Sequence, residues 1–204
     1  MIPKVLHQIW IGPNTIPEKV KGYCELAKSK FSDHEYMFWN NDNIPELPTK
    51  CQNQIKKYEK KQKYAFVADI LRYYILNEYG GVYLDVDFIV YNNFSELIDK
   101  PFFCVNPNYN CYHVCNGVFG CEPNNPILSK LLDELKDEIY HGPLLFSKYI
   151  SDFIGVPNKT HIKKHLDSNP HNYVQCLNAE DFFGRNSKYC YHEALHTWSN
   201  RKKQ

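Results

Sequence analysis

No apolar run in this chain of 204 residues reaches the roughly 18 positions needed to span a bilayer, and Met1-Ile2-Pro3-Lys4 opens without the apolar core of a secretory signal. The chain is therefore expected to be cytoplasmic, with no membrane segment of its own. Charge of one sign is missing as well. Lys and Arg number 24 against 23 Asp and Glu, so the formal net charge is +1 and nothing draws the surface toward nucleic acid or an acidic bilayer. The eight cysteines include no Cys-x-x-Cys pair, and in a reducing compartment they are expected to be free thiols. Cys104, Cys111, Cys115 and Cys121, with His113 among them, are the one cluster where zinc is conceivable, against ordinary buried thiols. Internal repeats, low-complexity tracts and linkers are also absent, so a single domain over residues 1–204 is expected.

What is present is an aromatic core-forming composition. Hydrophobic residues make up 43% and aromatic residues 15%, with 16 Tyr. Tyrosine suits half-apolar, half-hydrogen-bonding surfaces such as sugar sites, although most of these are expected in the core and its rim. The basic stretch Lys56 to Lys63, with Tyr58, Glu59 and Gln62 interleaved, reads as a solvated helix face.

Val5 to Ile11 is a β-rich run closed by Gly12-Pro13 and reads as a buried first strand. Glu18 to Lys30 has helical spacing. Glu35 to Trp39 reads as a second strand, ended by the turn residues Asn40-Asn41-Asp42-Asn43. Ala65 to Tyr79 is the clearest helix, with an apolar stripe through Phe66, Ile70 and Tyr74 and a stop at Gly80-Gly81. Val82 to Leu84 forms a strand that Phe88 to Tyr91 resumes. Phe102 to Val105 and Val118 to Cys121 are further strands, and Pro126 to Ile139 and Leu144 to Ile154 are helices. From Asn158 onward the chain is turn-rich and weakly periodic. Alternating strands and helices predict an α/β fold with a mixed, mostly parallel sheet flanked by helices.

The sharpest chemical feature is Tyr83-Leu84-Asp85-Val86-Asp87, directly after Gly80-Gly81. On an extended strand Asp85 and Asp87 point to one face, at the strand end where ligands collect in open α/β sheets. Two unpaired carboxylates so close repel each other, and Mn²⁺ or Mg²⁺ would relieve that repulsion and bridge to a diphosphate. Asp69 and Arg72 stand at i and i+3 on the preceding helix, on a face other than the apolar stripe. Such a pair can grip sugar hydroxyls and steady phosphate charge, or form an ordinary intrahelical ion pair. Trp10, at the end of the first strand, offers an indole face for base stacking, although a core tryptophan is the commoner use of such a position. Near the C-terminus, His192 and His196 are candidate imidazole ligands beside the carboxylates.

Together these segments resemble the DXD-containing sugar-transferase family, which includes outer-chain mannosyltransferases, capsular-polysaccharide transferases and the glucosylating domain of large clostridial toxins. Ile2 to Gly12 follows its opening pattern I-P-K-x-I/L-H-Q-I-W-x-G. Ala68-Asp69, Arg72, Leu76, Gly80-Gly81, Tyr83, Asp85 and Asp87 fill every fixed position of its central pattern. Asn116-Gly117 with Pro126, Gly142-Pro143, and His192 with Thr197-Trp198 match its later segments. The resemblance implies the Rossmann-like nucleotide-sugar transferase fold called GT-A and a metal-dependent, retaining glycosyltransferase of the hexosyl- or hexosaminyl-transferring kind. It implies that Trp10 stacks on the nucleobase while backbone near Gln8 and Ile9 reads its edge. Asp69 and Arg72 would hold the donor sugar, and Asn116 would face sugar or acceptor. Asp85 would lie near ribose and metal beside Tyr83, and Asp87 would bind Mn²⁺ (or Mg²⁺). His192 is the candidate third ligand, with His196 as the alternative, and Trp198 would close over the diphosphate. The donor is expected to be a UDP-sugar, although some relatives use GDP-mannose. The acceptor is a glycan, lipid or protein hydroxyl. The competing readings are a phosphohydrolase of the haloacid dehalogenase type, which also carries D-x-D on a strand end, and a nucleotide-sugar-binding module without turnover.

Overall fold

The computed structural model describes residues 1–107, 111–135 and 142–195. In chain order its main elements are β1 (Val5–Ile9), α1 (Glu18–Lys30), β2 (Glu35–Trp39), α2 (Thr49–Lys60), α3 (Tyr64–Tyr79), β3 (Gly81–Leu84), β4 (Phe88–Val90) and β5 (Phe102–Val105). They continue with β6 (Cys115–Cys121), α4 (Pro126–Asp133), α5 (Pro143–Phe153), α6 (Ile162–Ser168), β7 (Val174–Leu177) and β8 (Cys190–His192).

Six strands form one sheet in the order β2-β1-β3-β6-β5-β7. β1 runs parallel to β2 and β3, and β5 runs parallel to β7. β6 lies antiparallel to both β3 and β5, so the sheet is mixed and mostly parallel. β4 and β8 make a separate antiparallel ribbon. The central strands are buried on both faces, and their alternate residues divide between two cores. Tyr83, Phe119, Phe102 and Cys104 face the core built with α2 to α6, whereas Val82, Leu84, Val118, Phe103 and Val105 face one shared with Ala27 of α1, Phe31 just after it and the β4–β8 ribbon. Among the described residues no helix is long and apolar enough to cross a membrane.

Helix α3 runs into the site. Val67 through Tyr73 are all buried, including Asp69 and Arg72, so the middle turns of the helix are enclosed around their circumference, whereas Glu78 and Tyr79 in its last turn are exposed. Phe66 and Tyr74, expected on the buried stripe, only pack against the core edge. Gly80 ends the helix at φ 64° with its N–H on the Leu76 carbonyl, a left-handed cap that a side chain would strain.

Several boundaries differ from expectation. β1 stops at Ile9, and the Trp10 N–H on the Trp39 carbonyl is the last bond joining it to β2 before the chain turns away toward Gly12. α4 ends at Asp133, and residues 136–139 of the longer helix expected there lie outside the described residues. The Lys56–Lys63 stretch belongs to α2 only as far as Lys60, and Tyr58 within it is buried. The last third is more regular than its composition suggests, supplying α6, the sheet-edge strand β7 and β8. The cysteines are free and do not converge on a zinc site. Among the described residues the only group of three or more His, Cys, Asp or Glu side chains fit for a metal lies elsewhere.

Candidate active site

β3 ends at Leu84, and the next four residues form a turn closed by the Phe88 N–H on the Asp85 carbonyl at 3.2 Å. Asp85 and Asp87 thus meet through a turn and not through the pleat of an extended strand. The alternation of Val82-Tyr83-Leu84-Asp85-Val86-Asp87 continues across the end of β3, but the backbone bends there to begin β4. The Asp85 N–H donates to the Gly117 carbonyl on β6 at 2.8 Å, which docks the turn on the sheet. Gln8 supports it from β1. Its side-chain amide reaches the Asp85 carbonyl at 3.5 Å while its oxygen accepts the Tyr36 hydroxyl at 2.9 Å.

The two acids are not bare. Asp85 Oδ1 accepts the Tyr83 hydroxyl at 2.6 Å, and the Arg72 guanidinium lies 3.2 Å from Oδ1 and 3.5 Å from Oδ2. Arg72 stacks 4.6 Å over the Tyr83 ring, donates to the Asn116 carbonyl at 2.7 Å and stands 3.5 Å from Asp69 Oδ1. The Asn116 side-chain amide bridges Asp69 Oδ1 at 2.8 Å and the Tyr73 hydroxyl at 2.9 Å. One buried cation is therefore shared between two carboxylates, and the hydrogen bonds around it meet the desolvation cost of all three charges. Asp87 has separate partners: His192 Nε2 lies 3.2 Å from Oδ1, and the Leu195 N–H donates to Oδ2 at 3.1 Å.

This division of partners separates the acidities. Burial raises the Asp69 carboxyl to about 6 against the opposing charge of Arg72. Burial also raises Asp85, with Arg72 opposing it and Asp87 adding to it. At Asp87 burial is outweighed by the His192 bond and charge and by the Leu195 N–H, so its carboxyl lies below the usual range. Burial pulls His192 down, but Asp87 and Asp85 together raise its imidazole above the ordinary value.

Asp85, Asp87 and His192 each present a ligand atom, and these atoms lie within 4.8 Å of one another. The set fits a divalent cation. Its donors are two hard oxygens and one imidazole nitrogen, they converge from different elements, and they hold one carboxylate that burial alone makes costly to ionise. β8 delivers the imidazole. His192 pairs across the ribbon with Phe88 and stacks on its ring at 4.5 Å between centroids.

Of the residues singled out from sequence, Asp69, Arg72, Tyr83, Asp85 and Asn116 share one hydrogen-bonded network, and Asp87 with His192 stands beside it. Gln8 touches that network through the Asp85 carbonyl. Ile9 is packed into the main core. Trp10 donates its indole N–H to the Asn14 carbonyl at 2.8 Å and packs with Val20, Cys24 and Val86, touching the turn from outside the network. His196, Thr197 and Trp198 lie outside the described residues.

Residues 17–103 match the glycosyltransferase sugar-binding region containing a DXD motif. The chain is 31% identical over 197 residues to an uncharacterized glycosyltransferase of Acanthamoeba polyphaga mimivirus, an alignment that covers 88% of this chain and 72% of that protein. The chain belongs to this DXD glycosyltransferase family. It is also 30% identical over 151 residues to inositol phosphoceramide mannosyltransferase 3 of Schizosaccharomyces pombe, covering 72% of this chain but 42% of the yeast enzyme, and so spans under half of that longer relative. Among solved structures the fold is similar to the PaToxG glycosyltransferase, with a TM-score of 0.57 at 22% identity over 76% of this chain and 70% of that one. It is similar as well to the UDP-bound glycosyltransferase domain of the YGT toxin, with a TM-score of 0.56 at 11% identity over 86% of this chain and 79% of that one. These likenesses establish the GT-A fold. Membership of the family sets aside the phosphohydrolase reading.

Three site features were not read as functional from sequence. Gly117 gives Asp85 room on β6. His7 accepts the Trp39 indole N–H at 3.1 Å and bonds the Gly80 carbonyl at 2.9 Å, locking α3 to β1. Leu195 holds Asp87 through its backbone. Asn116-Gly117 in the later segment was the available signal for the first, and the places of His7 in the opening pattern and Gly80 in the central one for the second. Nothing local marks Leu195.

Proposed function

We propose that the protein transfers a sugar from a nucleotide-sugar to an acceptor hydroxyl, with Asp85, Asp87 and His192 holding Mn²⁺ or Mg²⁺. The observation that carries this reading is the convergence of those three side chains at the C-terminal end of β3, the edge where open α/β sheets bind ligands. When bound, the cation would supply Lewis-acid neutralisation of the charge that develops on the departing diphosphate.

The chain's own residues account for the rest. Arg72 is fixed by Asn116, Asp69 and Asp85, so its charge is oriented before substrate arrives and costs little reorganisation. Tyr83 fixes Asp85 Oδ1, while Oδ2 lies between Arg72 and Gly117. Asp69 is 7% exposed, and its Oδ1 is shared by Asn116 and Arg72. That leaves it poorly placed as a covalent nucleophile. With retention as the family resemblance implies, the displacement is then a front-side one. The anomeric C–O bond breaks with its electron pair going to the diphosphate, the acceptor oxygen bonds the same face, and the acceptor proton passes to the leaving phosphate oxygen. Trp10, packed on Val86 of the turn, would stack on the nucleobase.

UDP is the favoured nucleotide, because one indole suits a pyrimidine and a similar fold is known with UDP bound. A mannosyl donor and an inositol phosphoceramide-like lipid acceptor are the second reading, supported by the yeast mannosyltransferase relative. The acceptor class is otherwise a glycan or protein hydroxyl. A screen of nucleotide-sugars for Mn²⁺-dependent hydrolysis tests the reading, with the parent protein compared against Asp87→Asn. One donor should be turned over, and the variant should lose at least ~100-fold. Binding without hydrolysis or transfer would mark a binding module, and an active Asp87→Asn would remove the metal assignment.

A further inference from the structure

β8 ends at His192, and the next three residues fold back over the site. The Glu193 N–H donates to the Asp87 backbone carbonyl at 3.0 Å, and the Leu195 N–H reaches the Asp87 carboxylate at 3.1 Å. Ala194 between them sits at φ 51°, a left-handed conformation that a residue with a side chain holds only under constraint. The constraint on one side is Glu193. Its Oε1 accepts Lys19 Nζ at 2.6 Å and its Oε2 accepts the Tyr23 hydroxyl at 2.6 Å. Lys19 and Tyr23 are i and i+4 neighbours on one face of α1, so both grip the same carboxylate. The constraint on the other side is the Leu195 side chain, which packs with Trp10, Val20, Cys24 and Val86.

The consequence falls on Asp87. One of its oxygens is tied to a backbone N–H that cannot swing, so the other is presented toward His192. A carboxylate held in this way loses little rotational freedom when it ligates an ion, which is how groups behind a ligand tune affinity. We propose that Glu193 is a positioning residue for Asp87, acting through the Leu195 amide with α1 as its anchor. Glu193 itself belongs to no ligand set. The inference rests on the metal reading of Asp85, Asp87 and His192.

The experiment compares the parent protein with Glu193→Ala, Glu193→Gln and Tyr23→Phe by two readouts taken without donor. Amide hydrogen exchange at Leu195 reports whether the latch holds. Mn²⁺ affinity, by electron paramagnetic resonance, reports whether the latch matters to the site. Glu193→Ala should exchange faster at Leu195 and bind Mn²⁺ about tenfold more weakly, the lower end for a partner behind a metal ligand. Glu193→Gln and Tyr23→Phe should fall between, since each keeps one of the two bonds, and they carry the test if the alanine variant folds poorly. With saturating Mn²⁺, turnover in all three should return to within about twofold of the parent, a split that general loss of fold would not produce. Unchanged exchange at Leu195 overturns the latch. Faster exchange with unchanged Mn²⁺ affinity overturns the positioning role. A parent protein that binds no Mn²⁺ overturns the metal reading itself and this inference with it, and exchange at Leu195 still shows whether the latch exists.

Discussion

Gly117 faces the Asp85 carboxylate so closely that a Cβ on Gly117 would lie 2.5 Å from Oδ2. The same residue's carbonyl accepts the Asp85 N–H, so β6 grips the turn by its backbone and yields space to its side chain. Gly117→Ala must push the carboxylate aside. The neighbour that has to give is a short acid pinned by Arg72 and Tyr83, and the displacement falls on the metal site. Activity should drop by ~10–100-fold with Mn²⁺ affinity falling in parallel, the range seen when ligand-orienting groups are lost. Metal titration with thermal melting checks it. A variant of unchanged affinity would show that Asp85 tolerates more freedom than this geometry allows.

Arg72 holds the buried Asp69 and the half-buried Asp85, and its two obvious replacements should separate. Arg72→Met leaves Asp69 and Asp85 without their cation and should cost about 3–5 kcal/mol, the usual cost of breaking a buried pair. Arg72→Lys keeps the charge but loses the fork that also reaches the Asn116 carbonyl, so it should retain most stability and lose most turnover. Denaturant unfolding alongside donor hydrolysis reads both quantities.

His7 and Asp69 pull the pH dependence of stability in opposite directions. Burial lowers the His7 imidazole to about 4, with the bond to the Gly80 carbonyl opposing it, so the folded state refuses a proton that the unfolded chain takes near 6.5. Stability is therefore lost as pH falls from 6.5 to about 4, by roughly 3 kcal/mol from this residue. Asp69, raised to about 6, is the reverse case, because the folded state takes its proton first and stability is recovered as pH falls below 6. The two nearly cancel in the parent protein. In His7→Gln the opposing contribution is gone, leaving Asp69 and the likewise raised Asp85, and the urea midpoint should rise or hold as pH drops from 6.5 to 4.5. A steeper fall than in the parent would contradict the assignment.

His192 has a raised imidazole because Asp87 and Asp85 outweigh its burial. Protons then compete with metal from a higher pH than they would at a free imidazole. Mn²⁺ affinity should weaken as pH falls through that range, and His192→Gln should show a flatter pH profile at ~10–100-fold lower affinity. Without metal the sign inverts. The Asp87–His192 pair adds stability that is present below 6.5 and lost as pH rises through the raised value.

Much of this site was legible from residue order. The Gly80-Gly81 stop, the long α3 and the acids two apart place Asp69, Arg72, Asp85 and Asp87 near one strand end before any coordinates are known. The strand end at Leu84 is where the sequence reading puts it; what periodicity could not show is the turn that follows, because the alternation continues unbroken through Asp87 and only the Phe88 N–H on the Asp85 carbonyl marks the bend. It could not show β7 or β8 either. Val174-Gln175-Cys176-Leu177 and Cys190-Tyr191-His192 are too short and too polar to stand out, and they are strands only because β5 and β4 are there to pair with them. Nor does spacing distinguish exposed from buried charge. Asp69 and Arg72 stand at i and i+3 with an ordinary intrahelical ion pair as one reading, and it is the packing of α3 on β3 and β6, where they meet Tyr83 and Asn116, that buries them.

Anomalous diffraction from crystals soaked with manganese and UDP tests the central claim most directly. The account predicts a single manganese peak within bonding distance of Asp87 and His192, with Asp85 alongside and the diphosphate against the ion. UDP bound with no peak among these three side chains, and with Asp87 still bonded to His192 as before, would contradict it.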